Sequence, residues 1–97
     1  MKVKDLAPGM DGVTIRGRIV KISEKIEVET KFGKSPLAVA LLEDETGSIR
    51  LNLWRGQIDL VKVGDEVIVE HGFVRSFKDQ AELNVGSRGR IIVISRG

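Results

Sequence analysis

Four side chains of this sequence can lie flat against a planar ligand: Trp54, Phe32, Phe73 and Phe77, with no tyrosine among them. Each has cations close by in the chain. Arg50 and Arg55 flank Trp54, Lys31 and Lys34 flank Phe32, and Arg75 and Lys78 accompany Phe73 and Phe77. A ring beside a guanidinium or ammonium group suits stacking on a nucleobase while the cation holds phosphate, chemistry that tolerates any base. Other chemistries find little support. There is no cysteine, His71 is the one histidine, and no Ser/His/Asp or His/Glu spacing marks a nucleophile or a metal site. Consecutive Glu43, Asp44 and Glu45 read as solvated turn acids, and Gly86 to Gly89 lacks the strand-to-helix setting of a phosphate loop. No enzyme activity, metal or cofactor is expected.

The elements that must position these rings are strands. From Gly47 the chain alternates strictly, with Ile49, Leu51 and Leu53 on one face and Ser48, Arg50, Asn52 and Trp54 on the other, so the tryptophan shares the wet face with polar and cationic residues. Val13 to Ile22 alternates as well: Val13, Ile15, Gly17 and Ile19 form the inner row, Thr14, Arg16 and Arg18 the outer. Gly17 there permits a sharp bend or a close backbone approach. Arg16 and Arg18 have two readings, solvation of a strand face or phosphate binding. The charged stretch Ser23 to Ser35 reads as two strand extensions joined by an exposed loop, with Phe32 either a stacking ring on that loop or a side chain tucked on the rim. Leu37 to Leu42 is a continuous apolar run, short enough for a strand shielded on both faces, whose alanines at 38 and 40 leave room outside for something flat.

Residues 55 to 62 allow one or two helical turns at most. Val63-Gly64-Asp65 is a tight turn into the strand Glu66 to Arg75, where Val67, Val69 and Phe73 share a parity unless Gly72 hosts a bulge. Lys78-Asp79 connects a short hairpin, Gln80 to Val85 returns, Gly86 to Arg90 is a flexible basic bend, and Ile91 to Ile94 a last strand. Val3, Leu6 and Met10 are anchors of a short N-terminal cap.

With 97 residues the chain is expected to form one domain, residues 1–97, around one core of Val, Ile and Leu, since hydrophobic content is 41% but aromatic content only 4%. The net charge of +2 is too small to argue for a polyanion by itself; the distribution of arginines carries that argument. No apolar run suggests a membrane span, and the N-terminus lacks a signal-peptide core, so an intracellular setting is expected, cytoplasm or nucleoid. The inventory is all-β: five main strands, one long first hairpin and at most one short helix between strands three and four. It fits the oligonucleotide/oligosaccharide-binding (OB) fold, a five-stranded Greek-key barrel, better than an SH3-like barrel.

In that barrel the ligand groove lies over the second and third strands and the one-two and four-five loops, close to Trp54, Phe73 and Phe77. Arg16, Arg18, Arg50, Arg55, Arg75 and Lys78 are the candidate phosphate contacts; Asn52, Gln80 and Asn84 could bond base edges. For Trp54 and Phe73 the alternative is closure of the barrel mouth.

Four segments sharpen this: V-K-D-L-A-P-G-M from Val3, D-E-T-G-S-I-R-L-N-L-W from Asp44, V-G-D-E-V from Val63 and F-V-R-S-F-K-D-Q-A-E-L-N-V-G from Phe73. In that order and spacing the chain resembles the simple single-stranded DNA-binding proteins of archaea and their eukaryotic counterparts, relatives of the replication protein A OB domains. The resemblance implies sequence-tolerant binding of single-stranded DNA for its protection in replication, repair and recombination, with Trp54, Phe73 and Phe77 stacking and with possible protein partners in repair or replication complexes. Phe73 stands where such proteins often carry Trp or Tyr, and Val85 where some carry a further aromatic. Two other readings remain, a protein-interaction OB module and an RNA-binding OB domain.

Overall fold

A computed structural model describes residues 1–97. A 3-10 turn at Val3–Asp5 precedes β1 (Val13–Ile22), β2 (Ile26–Thr30), β3 (Gly33–Asp44) and β4 (Gly47–Trp54); a second 3-10 turn, Arg55–Leu60, leads to β5 (Glu66–Phe77) and β6 (Gln80–Ser95). No helix is long and apolar enough to cross a membrane. The strands order β1-β5-β6-β4-β3-β2, and β3 also pairs with β1. All neighbours are antiparallel except β4 and β6. This is the OB arrangement, with the second 3-10 turn where the short helix was expected.

The alternating rows build the core. Val13, Ile15 and Ile19 of β1, Ile49, Leu51 and Leu53 of β4, and Val67, Val69 and Val74 of β5 are all buried. Burying each such side chain contributes about 1.5–3 kcal/mol, so a one-residue slip that turned a row to water would be prohibitive, and the register is fixed. Gly17 sits where β1 crosses β3: a Cβ there would lie 2.8 Å from the Glu43 carbonyl oxygen, so only glycine lets the two backbones approach.

Three details differ from the sequence expectation. There are six strands instead of five, because the first of the two extensions expected in the charged stretch is a separate strand, β2, paired with the start of β3. Gly86 to Arg90 is not a loop between two strands: β6 runs through it, with residues 86–89 unpaired between Val85, opposite Gly72, and Arg90, opposite Glu70, and a Cβ on Gly89 would meet the Glu70 carbonyl oxygen at 2.7 Å, so glycine serves a close approach there. Ala38 and Ala40 point inward and are buried, while Leu37, Val39 and Leu41 form the half-exposed outer row of β3. A continuous apolar run gives no parity, which is why the faces were unreadable there.

The N-terminal cap is clasped by the turn between β3 and β4. Asp44 Oδ2 accepts the Val3 N–H at 2.8 Å, its Oδ1 accepts the Thr46 N–H and hydroxyl at 2.7 and 2.6 Å, and Thr46 Oγ1 accepts the Lys4 N–H at 3.1 Å. Desolvation pushes the Asp44 carboxyl up, but the bonds from the Thr46 hydroxyl and the N–H groups of Val3, Thr46 and Gly47 outweigh it and hold the group at about 2. The D-x-T-G motif is therefore a fastening, with Val3 buried beneath it. Farther along, Gly9 donates to the Val74 carbonyl and Val74 to the Met10 carbonyl, at 2.8 and 2.9 Å, laying the cap beside β5.

Candidate nucleic-acid interface

The outer face of β3, β4, β6 and β5 is built from cross-strand rows. Pairing places Val39, Asn52, Asn84 and Phe73 side by side across the four strands, and Leu41, Arg50, Glu82 and Arg75 in the next row. Leu37 lies opposite Trp54 at one end, Gln80 opposite Phe77 at the other. The three rings thus share one face, and the reason for Phe73 being there is a bulge. The β5–β6 register shifts between Glu70 and Gly72, and His71 has a left-handed φ of 55°. The extra residue reverses the parity, so Val74 takes the core position and Phe73, Arg75 and Phe77 turn outward. Simple alternation from Val67 would have buried Phe73.

Trp54 and Phe73 line one open cleft of about 490 Å³. Its other walls come from the tip of the β2–β3 hairpin (Thr30, Phe32, Ser35), from Arg55 and Gln57 of the second 3-10 turn, and from residues 84–87 of β6. No lining residue is an acid, and Arg55 is the lining cation. Arg55 also has a left-handed φ of 54°, and its Nε and Nη2 both donate to the buried Ser35 Oγ, at 3.2 and 2.9 Å. Trp54 is half-buried and its backbone is held by Gln57, whose Oε1 accepts the Trp54 N–H and whose Nε2 donates to the Val85 carbonyl, both at 2.9 Å.

The remaining rings carry cations. Arg75 lies 4.9 Å from the Phe73 ring centre, Lys31 5.2 Å from Phe32 and Lys78 5.4 Å from Phe77. Phe32 and Phe77 are 81% and 54% exposed, unusual for phenylalanine and difficult to justify as packing. Phe32 faces the cleft from the hairpin tip; Phe77 ends the β5 row at the Lys78-Asp79 turn, where both residues have positive φ.

Other expected contacts are placed differently. Arg16 and Arg18 lie on β1, away from the cleft: Arg16 pairs with Glu66 at 2.5 Å, and Arg18 donates to the Gly64 carbonyl at 2.7 Å. The bond from Arg16 pulls the Glu66 carboxyl below its ordinary range, Arg18 adding to it against a smaller desolvation effect. Asn52, expected on the wet face, is only 7% exposed, and its Nδ2 donates to Glu82 Oε1 and Asn84 Oδ1 at 3.0 and 3.1 Å. Arg50 shares that Glu82 carboxylate at 3.4 Å. Asn84 lines the cleft.

Two residues that shape this face, Gln57 and Glu82, are not among the candidates the sequence offers. Gln57 was detectable, since a glutamine three residues after the end of a strand, at the start of a helical turn, has capping-box spacing. Glu82 was not, because it acts across the parallel β4–β6 pairing, which no local pattern announces.

A β-sheet with this strand order and its rings on the β3–β4–β6–β5 face is an OB-fold domain. The family model for single-stranded DNA-binding proteins of the Ssb-like OB-fold type matches residues 6–93, and the chain belongs to that family. The single-stranded DNA-binding protein Ssb of Saccharolobus solfataricus is 36% identical over 90 residues, covering 93% of this chain and 61% of that protein, so the chain spans about three fifths of the length of that relative. The second OB-fold domain of replication protein A from Methanococcus maripaludis superimposes with a TM-score of 0.80 at 34% identity, covering 100% of this chain and 96% of that domain. An OB domain from Thermoplasma acidophilum gives a TM-score of 0.85 at 25% identity, covering 100% and 88%.

Proposed function

We propose that this protein binds single-stranded DNA with little regard to sequence, protecting it inside the cell during replication, repair and recombination, and that it does so by stacking and charge without catalysis. The observation that carries this is the shared cleft: Trp54 and Phe73 face one open space whose lining includes Arg55 and no carboxylate. Each base stacked on a ring contributes about 1–3 kcal/mol, so two or three rings supply useful affinity before any phosphate contact. Trp54 is the first platform, Phe73 with Arg75 the second, and Phe77 with Lys78 the third; Phe32 and Lys31 reach over the cleft from the hairpin. Arg55, Arg75 and Lys78 take the phosphates. Arg50 supports the face through Glu82, and Arg16 and Arg18 contribute at most to the long-range field.

Since Trp54 is the sole tryptophan, its fluorescence reports the first platform directly. Titration with an unstructured oligonucleotide is expected to quench it, with an affinity that falls as salt rises because cations on the protein replace condensed counterions. Unchanged fluorescence and no complex at low salt would refute the proposal. Partners in repair or replication complexes are proposed on the family likeness alone.

A further inference from the structure

A second bulge, in β1, turns a lysine onto the face that carries the rings. The β1–β3 register shifts between Ile19 and Lys21, so the inward row passes from the odd positions to Ile22, and Lys21 lies outside, opposite Leu41. Unbroken alternation from Val13 would have pointed this lysine into the core. Its outward position completes one row across five strands: Lys21, Leu41, Arg50, Glu82 and Arg75. The cations recur at every second strand, about 9.5 Å apart along the sheet, so the row spans about 19 Å. Glu82, the one carboxylate in it, is mostly buried and already accepts from Asn52 and Arg50. Between Lys21 and Arg50 lies an open groove of about 270 Å³, lined otherwise by Ser23, Val39, Ala40 and Leu41. No acid lines it. Lys21 is exposed and takes part in none of the ion pairs, and Arg50 commits only Nη1, at 3.4 Å, to Glu82. The end of β1 is held in place, since Ser23 N–H donates to the Val39 carbonyl and Ser23 Oγ accepts the Val39 N–H, both at 2.9 Å. Val39 shares its row with Asn84 and Phe73, which line the ring cleft, so the two openings are neighbours on one face.

We infer that this groove is a second seat for the nucleic-acid backbone, in which Lys21 and Arg50 hold a phosphate and the half-exposed Val39 and Leu41 lie beneath the sugars. The bound strand then leaves the ring cleft across β4 and β3 and ends at β1. This rests on the single-strand binding proposed above and adds a contact and a path to it. A phosphate held by two cations releases its condensed counterions, and an aliphatic floor takes a sugar without reading a base, which agrees with sequence tolerance. The β1 cation that meets the strand is thus Lys21; Arg16 and Arg18, on the part of β1 away from the cleft, are turned to Glu66 and the Gly64 carbonyl.

The test is the salt dependence of binding to a deoxythymidine strand about 12 nucleotides long, within the site-size range of an OB domain, read by Trp54 quenching. Each phosphate contact on a single strand adds about 0.7 to the slope of log affinity against log salt, which is about fivefold over a tenfold range of salt. The parent's affinity is therefore expected to fall about fivefold more steeply over that range than the affinity of Lys21→Gln. Arg16→Gln removes the same charge from the same strand and is expected to keep the parent's slope. Because the chain has no cysteine, Lys21→Cys carries a single thiol, and saturating oligonucleotide is expected to slow its alkylation by iodoacetamide severalfold. A parental slope in Lys21→Gln, an equal loss of slope in Arg16→Gln, or alkylation that the oligonucleotide does not slow would each overturn the inference alone. Failure of the unaltered protein to bind the strand at low salt would overturn the single-strand reading and this inference with it.

Discussion

Gln57 is the residue whose removal most directly tests whether the stacking platform is built in advance. Its side chain ties the Trp54 N–H to the Val85 carbonyl, one bond of 2.9 Å to each, and so joins the end of β4 to β6 across the floor of the cleft. Gln57→Ala removes both bonds. Neutral bonds contribute about 1 kcal/mol each, and because the cleft is open, water can reach the two freed groups, so the full penalty for stranding them is avoided. The loss of stability is then about 2 kcal/mol. For a chain of 97 residues that lowers Tm by about 8–16 °C. Binding should suffer separately, since Trp54 must now be immobilised when the base arrives, a cost of about 0.5–1.5 kcal/mol, or roughly twofold to tenfold in affinity. Differential scanning calorimetry gives the first number. Steady-state anisotropy of Trp54 and oligonucleotide titration give the second, with lower anisotropy expected in the free variant and recovery in the complex. A variant with the parent's Tm, anisotropy and affinity would show that Trp54 is held by packing alone and would refute the argument.

Other outcomes follow from the same structure. Trp54→Ala and Phe73→Ala should each weaken single-strand binding by about 1–3 kcal/mol, with a salt slope little changed, because stacking and counterion release are separate contributions; a collapsed salt slope with intact affinity would contradict this. The Asp44 carboxyl, at about 2 against an ordinary 3.8, stabilises the fold fully above pH 3.8 and progressively less as pH falls through 2. Asp44→Asn should therefore melt lower than the parent at neutral pH, and the two should converge as acid titrates the parent, as pH-dependent thermal melts would reveal. Gly17→Ala puts a methyl 2.8 Å from the Glu43 oxygen and should cost about 1–3 kcal/mol in chemical denaturation; an unchanged midpoint would mean that β1 and β3 can separate freely.

How much of this was legible depends on whether the relevant contact is local. The inner rows of β1 and β4 were readable because alternation has period two, while Gly17 could be read as a bend or a close approach, and its 2.8 Å clearance to the Glu43 carbonyl oxygen supports the second. Trp54 was recognisable as a ring among polar residues. The orientation of β3 was hidden by its unbroken apolar run. Asn52 was misjudged for a different reason: alternation places it correctly on the outer face, but burial there depends on Glu82 and Asn84, some thirty residues later, arriving beside it in a parallel pairing. Arg16 and Arg18 are outward as expected, yet their partner Glu66 comes from β5, so the chain's cation count overstates what the cleft can use.

The bulge at His71 leaves a mark that a mutational survey would see. Before it, the odd positions Val67 and Val69 face the core; after it, the even positions Gly72 and Val74 do. Tolerance to polar substitution along β5 should thus change phase at one residue, with odd positions intolerant up to 69 and even positions intolerant from 72, measured by a stability-linked selection across the strand. Deleting His71 would restore a single phase while leaving Gly72 and Val74 at core positions and Phe73, Arg75 and Phe77 outward. Keeping His71 but pairing it in register would do the reverse: Phe73 and Phe77 would turn inside, Val74 outside, and the binding surface would be gone.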